Sequence, residues 1–512
     1  MHQLKNSCRL GIAGIALFLA SAACETDLPV LLPARTSPTA ELQGYELLAR
    51  FAHVTDTHVV DEESPARFAG AHELVSPAWR PYEAYSTQLL DGILRTVNRI
   101  HASGRTIDFL LHTGDACDNS QSNELAWVLG VFDGGEINPL TGPDDRPIES
   151  RPNPLLDPHA TFTAQGLYRR GVHGDLPSIP WYSILGNHDR YAIGVFPIFQ
   201  DAWGRRTAPL PLAQRPGVVL PAVFDPLALF AHGNVTPAEP GPPCLVDLPR
   251  FVWPNPGRAY FDRREYIRAM FDTATEPAGH GFSGPDGRSW YSVSLSADLR
   301  LIGLDTTAAA YAIEGFVYSE GSILPEQVAF LRAELDAARD RGELVIVATH
   351  HPSGSLWDGY GSALIGSSFR ALLAEYDNVV LHIAGHGHHN AVMDRGGYLE
   401  IETCSTLDAP QEGRLIEVWR NPADGSLAIA YEMFSHLNDD LPTLGDDPLR
   451  PLREDARRLA HGAPDGSARI IPPEMAPMIE TSPADAATLF QGQADRPADR
   501  QGLFIRHRAG AK

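Results

Sequence analysis

Apolar and polar positions along the chain repeat a strand, helix, strand pattern. Leu48 to Val54 reads as a buried strand that stops at Asp56. Tyr82 to His101 carries Leu89, Leu90, Ile93, Leu94, Val97 and Ile100 at the spacing of a helical face. Ile107 to His112 predicts a second strand, which stops at Gly114-Asp115. Strand, helix and strand with carboxylates at the strand ends predict an α/β sheet whose site lies along its carboxyl edge.

The pattern then loosens. Residues 136–178 are rich in Pro, Gly and Asp without a clear period, and predict an inserted loop. Trp181 to Leu185 predicts a third strand, ending at Gly186-Asn187-His188-Asp189. Residues 190–285 hold many prolines and aromatics, among them Phe196, Trp203, Trp253 and Tyr260. A structureless loop of that length is unusual in a compact domain, so the stretch predicts a cap or lid with a small core of its own and a short helix at Arg263 to Phe271. Beyond it, Trp290 to Val293 and Leu299 to Leu304 read as paired strands. Pro325 to Arg341 reads as a helix with Val328, Leu331 and Leu335 on one face and Pro in its first turn. Strands are predicted at Leu344 to Ala348, Val379 to Ala384, Tyr398 to Ile401, Leu415 to Val418 and Leu427 to Tyr431, and a helix at Phe369 to Tyr376. Residues 437–512 are rich in Asp, Pro and Arg and predict a tail that wraps the domain or stays mobile.

The first residues have the order of a targeting signal. Lys5 and Arg9 are followed by an apolar run from Gly11 to Ala23, too short for a comfortable membrane span, and by the small residues Ser21-Ala22-Ala23. Cys24 comes next and resembles the lipidated Cys of a bacterial lipoprotein box. A plain secretory signal and an uncleaved anchor are the other readings. The expected organisation is a signal peptide at 1–23, a tether at 24–46, a folded domain at 47–436 with insertions at about 136–178 and 190–285, and a polar extension at 437–512. The expected location is outside the cytoplasm, as a periplasmic or outer-membrane lipoprotein or as a secreted protein.

Composition narrows the function classes. With 512 residues, 43% apolar and 21% charged, the balance is globular. A formal net charge of −23 offers no basic face to nucleic acid or anionic lipid. An acidic chain that acts on phosphate must build positive charge locally, and bound metal is one way. Of the five cysteines, Cys8 leaves with the signal and Cys24 takes the lipid in the lipoprotein reading. Cys117, Cys244 and Cys404 remain, an odd number that excludes complete pairing.

Candidate chemistry gathers in five short motifs at predicted strand ends: Asp56-Thr57-His58, Gly114-Asp115-Ala116-Cys117-Asp118, Gly186-Asn187-His188-Asp189, His350-His351-Pro352 and Gly385-His386-Gly387-His388. A site that splits a phosphoester must neutralise phosphoryl charge, ready a water and protonate a leaving oxygen. Two divalent ions about 3.5–4 Å apart do the first two. Mixed carboxylate and imidazole ligands suit zinc, manganese and iron better than magnesium or calcium. Residues two apart on an extended chain point the same way, which fits Asp56 with His58 and His386 with His388, Gly387 allowing a tight turn between the latter.

In this order the motifs resemble the signature of the calcineurin-like metallophosphoesterases, over about residues 48–432 apart from the insertions. The resemblance implies a four-layer α-β-β-α metallophosphoesterase sandwich with a large inserted cap region. It implies hydrolysis of phosphomonoesters or phosphodiesters with two divalent metal ions, manganese, zinc or iron. Asp56, His58 and His388 would bind the first metal, Asn187, His350 and His386 the second, and Asp115 would bridge them. Metal-bound water would be the nucleophile and His188 the general acid, its ring held by Asp189. Asp118 would bond a ligand His. Purple acid phosphatases carry a Tyr three residues after the bridging Asp; Asp118 stands there, so no tyrosinate-iron colour is expected. Arg190, His351, His389, Asn390 and Asp305 lie near motifs as substrate contacts or supports, while His53 and His112 lie within strands and read as structural. A two-domain 5′-nucleotidase carries a further nucleotide-binding domain, and the tail is too short and polar to supply one. The expected partner is a small-molecule or lipid head-group phosphoester, with membrane contact only through the lipid anchor. The alternative is a non-catalytic binding or structural lipoprotein on the same scaffold, which would normally show lost ligands; here every position is filled.

Overall fold

The computed structural model describes residues 41–64, 80, 82–141, 157–195, 197–200, 206–207, 217–219, 250–252, 255–307, 319–356, 362–438, 441–461 and 497–507. The targeting segment, Cys24, most of the tether, Cys244, and parts of both insertions and of the tail lie outside the described residues.

Two six-stranded sheets carry the site. The first runs in the order Gln501–Arg506, Leu427–Ser435, Glu412–Arg420, Glu46–Val54, Phe109–His112, Trp181–Ser183. The second runs Tyr291–Ser294, Leu299–Gly303, Leu344–Ala348, Val379–Ala384, Leu399–Glu402, Ala391–Asp394. In each sheet the strands that lead into the site motifs are parallel: Phe51 pairs with Phe109 and Leu110 with Trp181, and in the other Ile346 pairs with Leu381. Parallel strands bring successive carboxyl ends to one edge, where site residues converge.

The period-2 geometry of strands sorts side chains between layers. Along Leu344–Ala348, Ile346 and Ala348 enter the core shared by both sheets, with Phe51, Leu110 and Leu415. Val345 and Val347 face the other way, onto Leu331, Leu335 and Ala338 of helix Pro325–Arg341 and Phe369 and Leu372 of helix Gly366–Ala374. Helix Ser86–Ala102 buries Leu90, Ile93, Leu94 and Val97 against the first sheet's side of the shared core. This mixed α/β arrangement contains the sheet that the sequence pattern predicts, and its layers are those that the family resemblance implies.

Two expectations change, and one helix appears that the pattern did not predict. The 136–178 region is not simply a loop: Gly135–Ile137 and Phe162–Ala164 pair antiparallel. Before it, helix Ser122–Asp133 buries Leu125, Trp127, Val128, Val131 and Phe132, and the Glu124 carboxylate accepts from the backbone N–H of Asn119 and Gln121 at its start. The part of 190–285 that follows residue 255 has no separate core. Helix Arg263–Ala269 starts at Asp262, which accepts from the Glu265 N–H. Phe261, Tyr266, Ile267, Met270 and Phe282 join the main core. Backbone bonds from Trp181 N–H to the Glu276 carbonyl and from Ser183 N–H to the His280 carbonyl cover the edge of the first sheet.

The tail wraps. Helix Arg450–His461 seats Leu452, Ala456, Leu459 and Ala460 on Tyr82, Tyr85, Leu89 and Leu407. Strand Gln501–Arg506 completes the first sheet beside Leu427–Ser435.

Candidate metal centre

The motifs sit in the turns that follow the parallel strands, and their backbone is unusual. Asp56, His58, Asp115, His386 and His388 all have positive φ, from 40° to 71°. Non-Gly residues rarely adopt this region, and such strain persists where the surrounding structure over-determines it. Asp56 and His58 therefore do not share a face of an extended strand; Glu46–Val54 has ended, and left-handed turns aim the two side chains. Gly387 is also needed for a different reason than a tight turn. A Cβ there would lie 2.0 Å from Oε1 of Glu402 and 2.7 Å from Cε1 of His389, so glycine permits close packing between the His386 and His388 turns.

Two donor groups result. In the first, Nε2 of His388 lies 3.3 Å from Oδ1 of Asp56, and Nε2 of His58 lies 3.8 Å from the same oxygen. In the second, Oδ1 of Asn187 lies 3.0 Å from Nε2 of His350 and 3.2 Å from Nδ1 of His386. Oδ2 of Asp115 stands between them, 3.3 Å from Nε2 of His350 and 3.7 Å from Nε2 of His58. The other oxygen of Asp115 accepts from the His188 backbone N–H at 2.8 Å. A Cβ on Gly186 would come within 2.1 Å of that oxygen, so no larger residue fits there.

The chemistry of these donors fits cations. Nδ1 of His58 faces Oδ1 of Asp118 at 2.9 Å, and Nδ1 of His388 faces Oδ2 of Asp408 at 2.6 Å. Carboxylates only accept, so both Nδ1 atoms carry the hydrogen. In neutral rings the two Nε2 lone pairs then face each other at 3.0 Å, an arrangement that requires positive charge beside them. His350 repeats the logic: Nδ1 donates to the Thr113 carbonyl at 2.8 Å, so Nε2 is the nitrogen turned toward the Asn187 and Asp115 oxygens, a place for a proton or a cation. Charge is concentrated accordingly. Burial opposes ionisation, yet Asp115 raises His350 to about 9, and Asp408 and Asp56 raise His388 to about 10. Burial would raise Asp56, but the His388 and His58 imidazoles hold its carboxyl well below the usual range. His386, buried beside His350, is lowered to about 3, so without a cation it is neutral while His350 and His388 carry protons that a bound metal would displace.

His188 lies against the first group, its ring 4.5 Å from that of His58. Its Nδ1 donates to the Asp118 carbonyl at 2.7 Å, and burial lowers it to about 4. Asp189 does not hold this ring. Its carboxylate instead accepts from the backbone N–H of Cys117 and of Gly186, tying the two motif turns together.

The remaining candidates divide. His351 is buried with Nδ1 on the Thr306 hydroxyl and Nε2 on the Ser319 carbonyl. Asn390 accepts from the Cys404 N–H and Arg414, and Asp305 from the N–H and hydroxyl of Thr307. These three are supports. His389 pairs with Glu402 at 3.3 Å, and Arg190 donates to the Tyr191 hydroxyl at 3.1 Å while stacking over that ring. His53 bridges the hydroxyls of Thr403 and Thr113, and His112 takes the Gly114 N–H, both within the fold. Asp408 lies in a loop that carries no motif, and only the fold brings it to His388.

Residues 49–255 match the family model of calcineurin-like phosphoesterases, a span that includes Asp56, His58, Asp115, Asn187 and His188. No curated protein matches the chain. Among solved structures, a dimetal phosphatase from Danio rerio is 13% identical, with a TM-score of 0.39, over 78% of this chain and 100% of that one. The sulfate thiohydrolase SoxB of Thermus thermophilus is 10% identical, with a TM-score of 0.31, over 80% of this chain and 60% of that one. GAP50, the anchor in the inner membrane complex of Plasmodium, is 11% identical, with a TM-score of 0.33, over 81% and 96%.

Proposed function

We propose that this chain, which carries a calcineurin-like phosphoesterase domain at residues 49–255, hydrolyses small phosphomonoesters or phosphodiesters with two divalent metal ions outside the cytoplasm. The observation that carries the reading is the position of Asp115, one carboxylate between two donor groups. Asp56, His58 and His388 would hold one ion, and Asn187, His350 and His386 the other. When bound, the pair of cations neutralises phosphoryl oxygens and activates water at neutral pH. Carboxylate with imidazole suits zinc, manganese or iron.

The chain's own residues do the rest. Asp118 and Asp408 fix the tautomers of His58 and His388. The neutral oxygen of Asn187 tempers the ligand charge. His188, with Nδ1 committed to the Asp118 carbonyl, turns only Nε2 outward, and we assign that nitrogen to the leaving oxygen; burial keeps the ring neutral in the metal-free protein, so the role requires bound phosphate to draw a proton onto Nε2 first. Export rests on Lys5, Arg9, the apolar run to Ala23, and Cys24 as the lipidation site.

The test is an activity screen of protein loaded with manganese, zinc or iron, over phosphomonoesters and phosphodiesters. Turnover that a chelator abolishes and added metal restores is the expected result. Two bound ions with no turnover on any ester would favour a binding protein on this scaffold.

A further inference from the structure

We propose that Arg80 is a positioning residue for the first metal, resting on the reading that Asp56, His58 and His388 hold it. Behind these ligands stand the two carboxylates that fix the imidazoles, Asp118 on His58 and Asp408 on His388. The buried Arg80 guanidinium joins them. Its Nε donates to Oδ1 of Asp408 at 2.6 Å and its Nη2 to Oδ2 at 3.0 Å. Its Nη1 lies 3.4 Å from Oδ1 of Asp118, the oxygen that takes the His58 hydrogen. The Tyr82 hydroxyl donates to Oδ1 of Asp408 at 2.8 Å.

Two buried carboxylates that both face one metal site repel each other, and burial raises the cost of holding them charged. A planar guanidinium offsets that charge and, with its rigid fork, fixes both carboxylates in one orientation. A lysine ammonium offers the charge without the fork. The second donor group is held differently. His350 donates Nδ1–H to the Thr113 carbonyl, a backbone acceptor that the end of strand Phe109–His112 fixes by itself. Arg80 therefore acts on one metal and not on both.

The experiment compares the affinities of the two sites by chelator competition in full-length wild type, Arg80→Met and Arg80→Lys. Loss of groups that orient ligands costs about 10–100-fold in metal affinity. Arg80→Met should bind one ion as wild type does and the other about 10–100-fold more weakly. Arg80→Lys should fall between. Tyr82→Phe, which removes one bond to Asp408 and leaves Arg80, should weaken the same ion by less than Arg80→Met does. If Arg80→Met fails to fold, Arg80→Lys decides: wild-type affinity at both sites overturns the proposal, and so does equal weakening of both ions. Wild-type protein that binds no metal would instead remove the reading of the metal centre on which Arg80 depends.

Discussion

Oδ2 of Asp115 lies 3.3 Å from Nε2 of His350, which follows a strand of the other sheet, and 3.7 Å from Nε2 of His58, which follows a strand of the same sheet as Asp115. One carboxylate oxygen thus serves donors that the chain delivers from opposite sides of the sandwich. Asp115→Ala should cost both ions, whereas loss of a ligand of one ion only, such as His386→Ala, should leave the other. Elemental analysis after dialysis against manganese or zinc checks this. Equal metal content in the two variants would show that Asp115 is not shared.

His188 should separate chemistry from binding. Its ring is held by the Asp118 carbonyl and makes no part of either donor group around Asp115. His188→Asn should keep both ions and lose turnover by roughly 10²–10⁴-fold, the usual contribution of a general acid. The loss should shrink on nitrophenyl esters, whose leaving oxygen needs little protonation. Equal losses on good and poor leaving groups would mean that His188 positions phosphate instead.

The ligand motifs were legible because each follows a strand whose apolar run is plain in the sequence, as at Val379–Ala384 before His386 and His388. What lay behind them was not legible. Asp408 meets His388 across 20 residues and Arg80 across 328, distances at which only the tertiary fold decides who meets whom. The positive φ of Asp56 and His58 was equally hidden, since neither residue type demands it. Helix Ser122–Asp133 went unassigned, its apolar face interrupted by Gly130 and closed by Asp-Gly-Gly. Strand Gln501–Arg506 escaped because the residues before it have the composition of a free tail, while its pairing is with Leu427–Ser435, distant in sequence.

The packing of residues 255–285 sets how much of the long insertion can be removed. Tyr266 is fully buried, its hydroxyl 2.9 Å from that of Ser183. Tyr266→Ala should cost about 3–5 kcal/mol, as for other large aromatic truncations in cores, read by denaturant unfolding. A linker that replaces only residues within 197–254 should preserve the fold and the metal. If that stretch, the outer part of the 190–285 insertion that leaves the chain after His188-Asp189, overhangs the metals and sets specificity, the shortened enzyme should keep activity on a small generic ester and change its ranking among larger ones. An unchanged ranking in a well-folded variant would place specificity elsewhere.

Acid should destabilise the protein through histidines buried in the neutral form, and His280 offers the cleanest test because it lies away from the metal ligands. Its ring stacks on Trp181 at 3.8 Å between centroids, with Nδ1 on the Trp181 carbonyl and Nε2 on the Thr273 hydroxyl. Burial lowers it from 6.5 to about 4, and the Trp181 carbonyl offsets this only in part. The folded protein thus takes up this proton only near pH 4, whereas the unfolded chain takes it up near 6.5. Stability from His280 is complete above 6.5 and is lost as pH falls from 6.5 toward 4, by about 3 kcal/mol at most. His280→Phe keeps an aromatic ring for Trp181 and cannot titrate. The variant should be less stable than wild type at pH 7, because two hydrogen bonds are gone, and the gap should narrow steadily between pH 6.5 and 4. His53 and His112 are lowered by burial in the same direction, to about 3 and about 4, so acid sensitivity should diminish in the variant without vanishing. Denaturant unfolding at several pH values reads the difference between the two proteins, from which metal release at low pH largely cancels. Parallel stability curves would show that His280 does not change its protonation on folding.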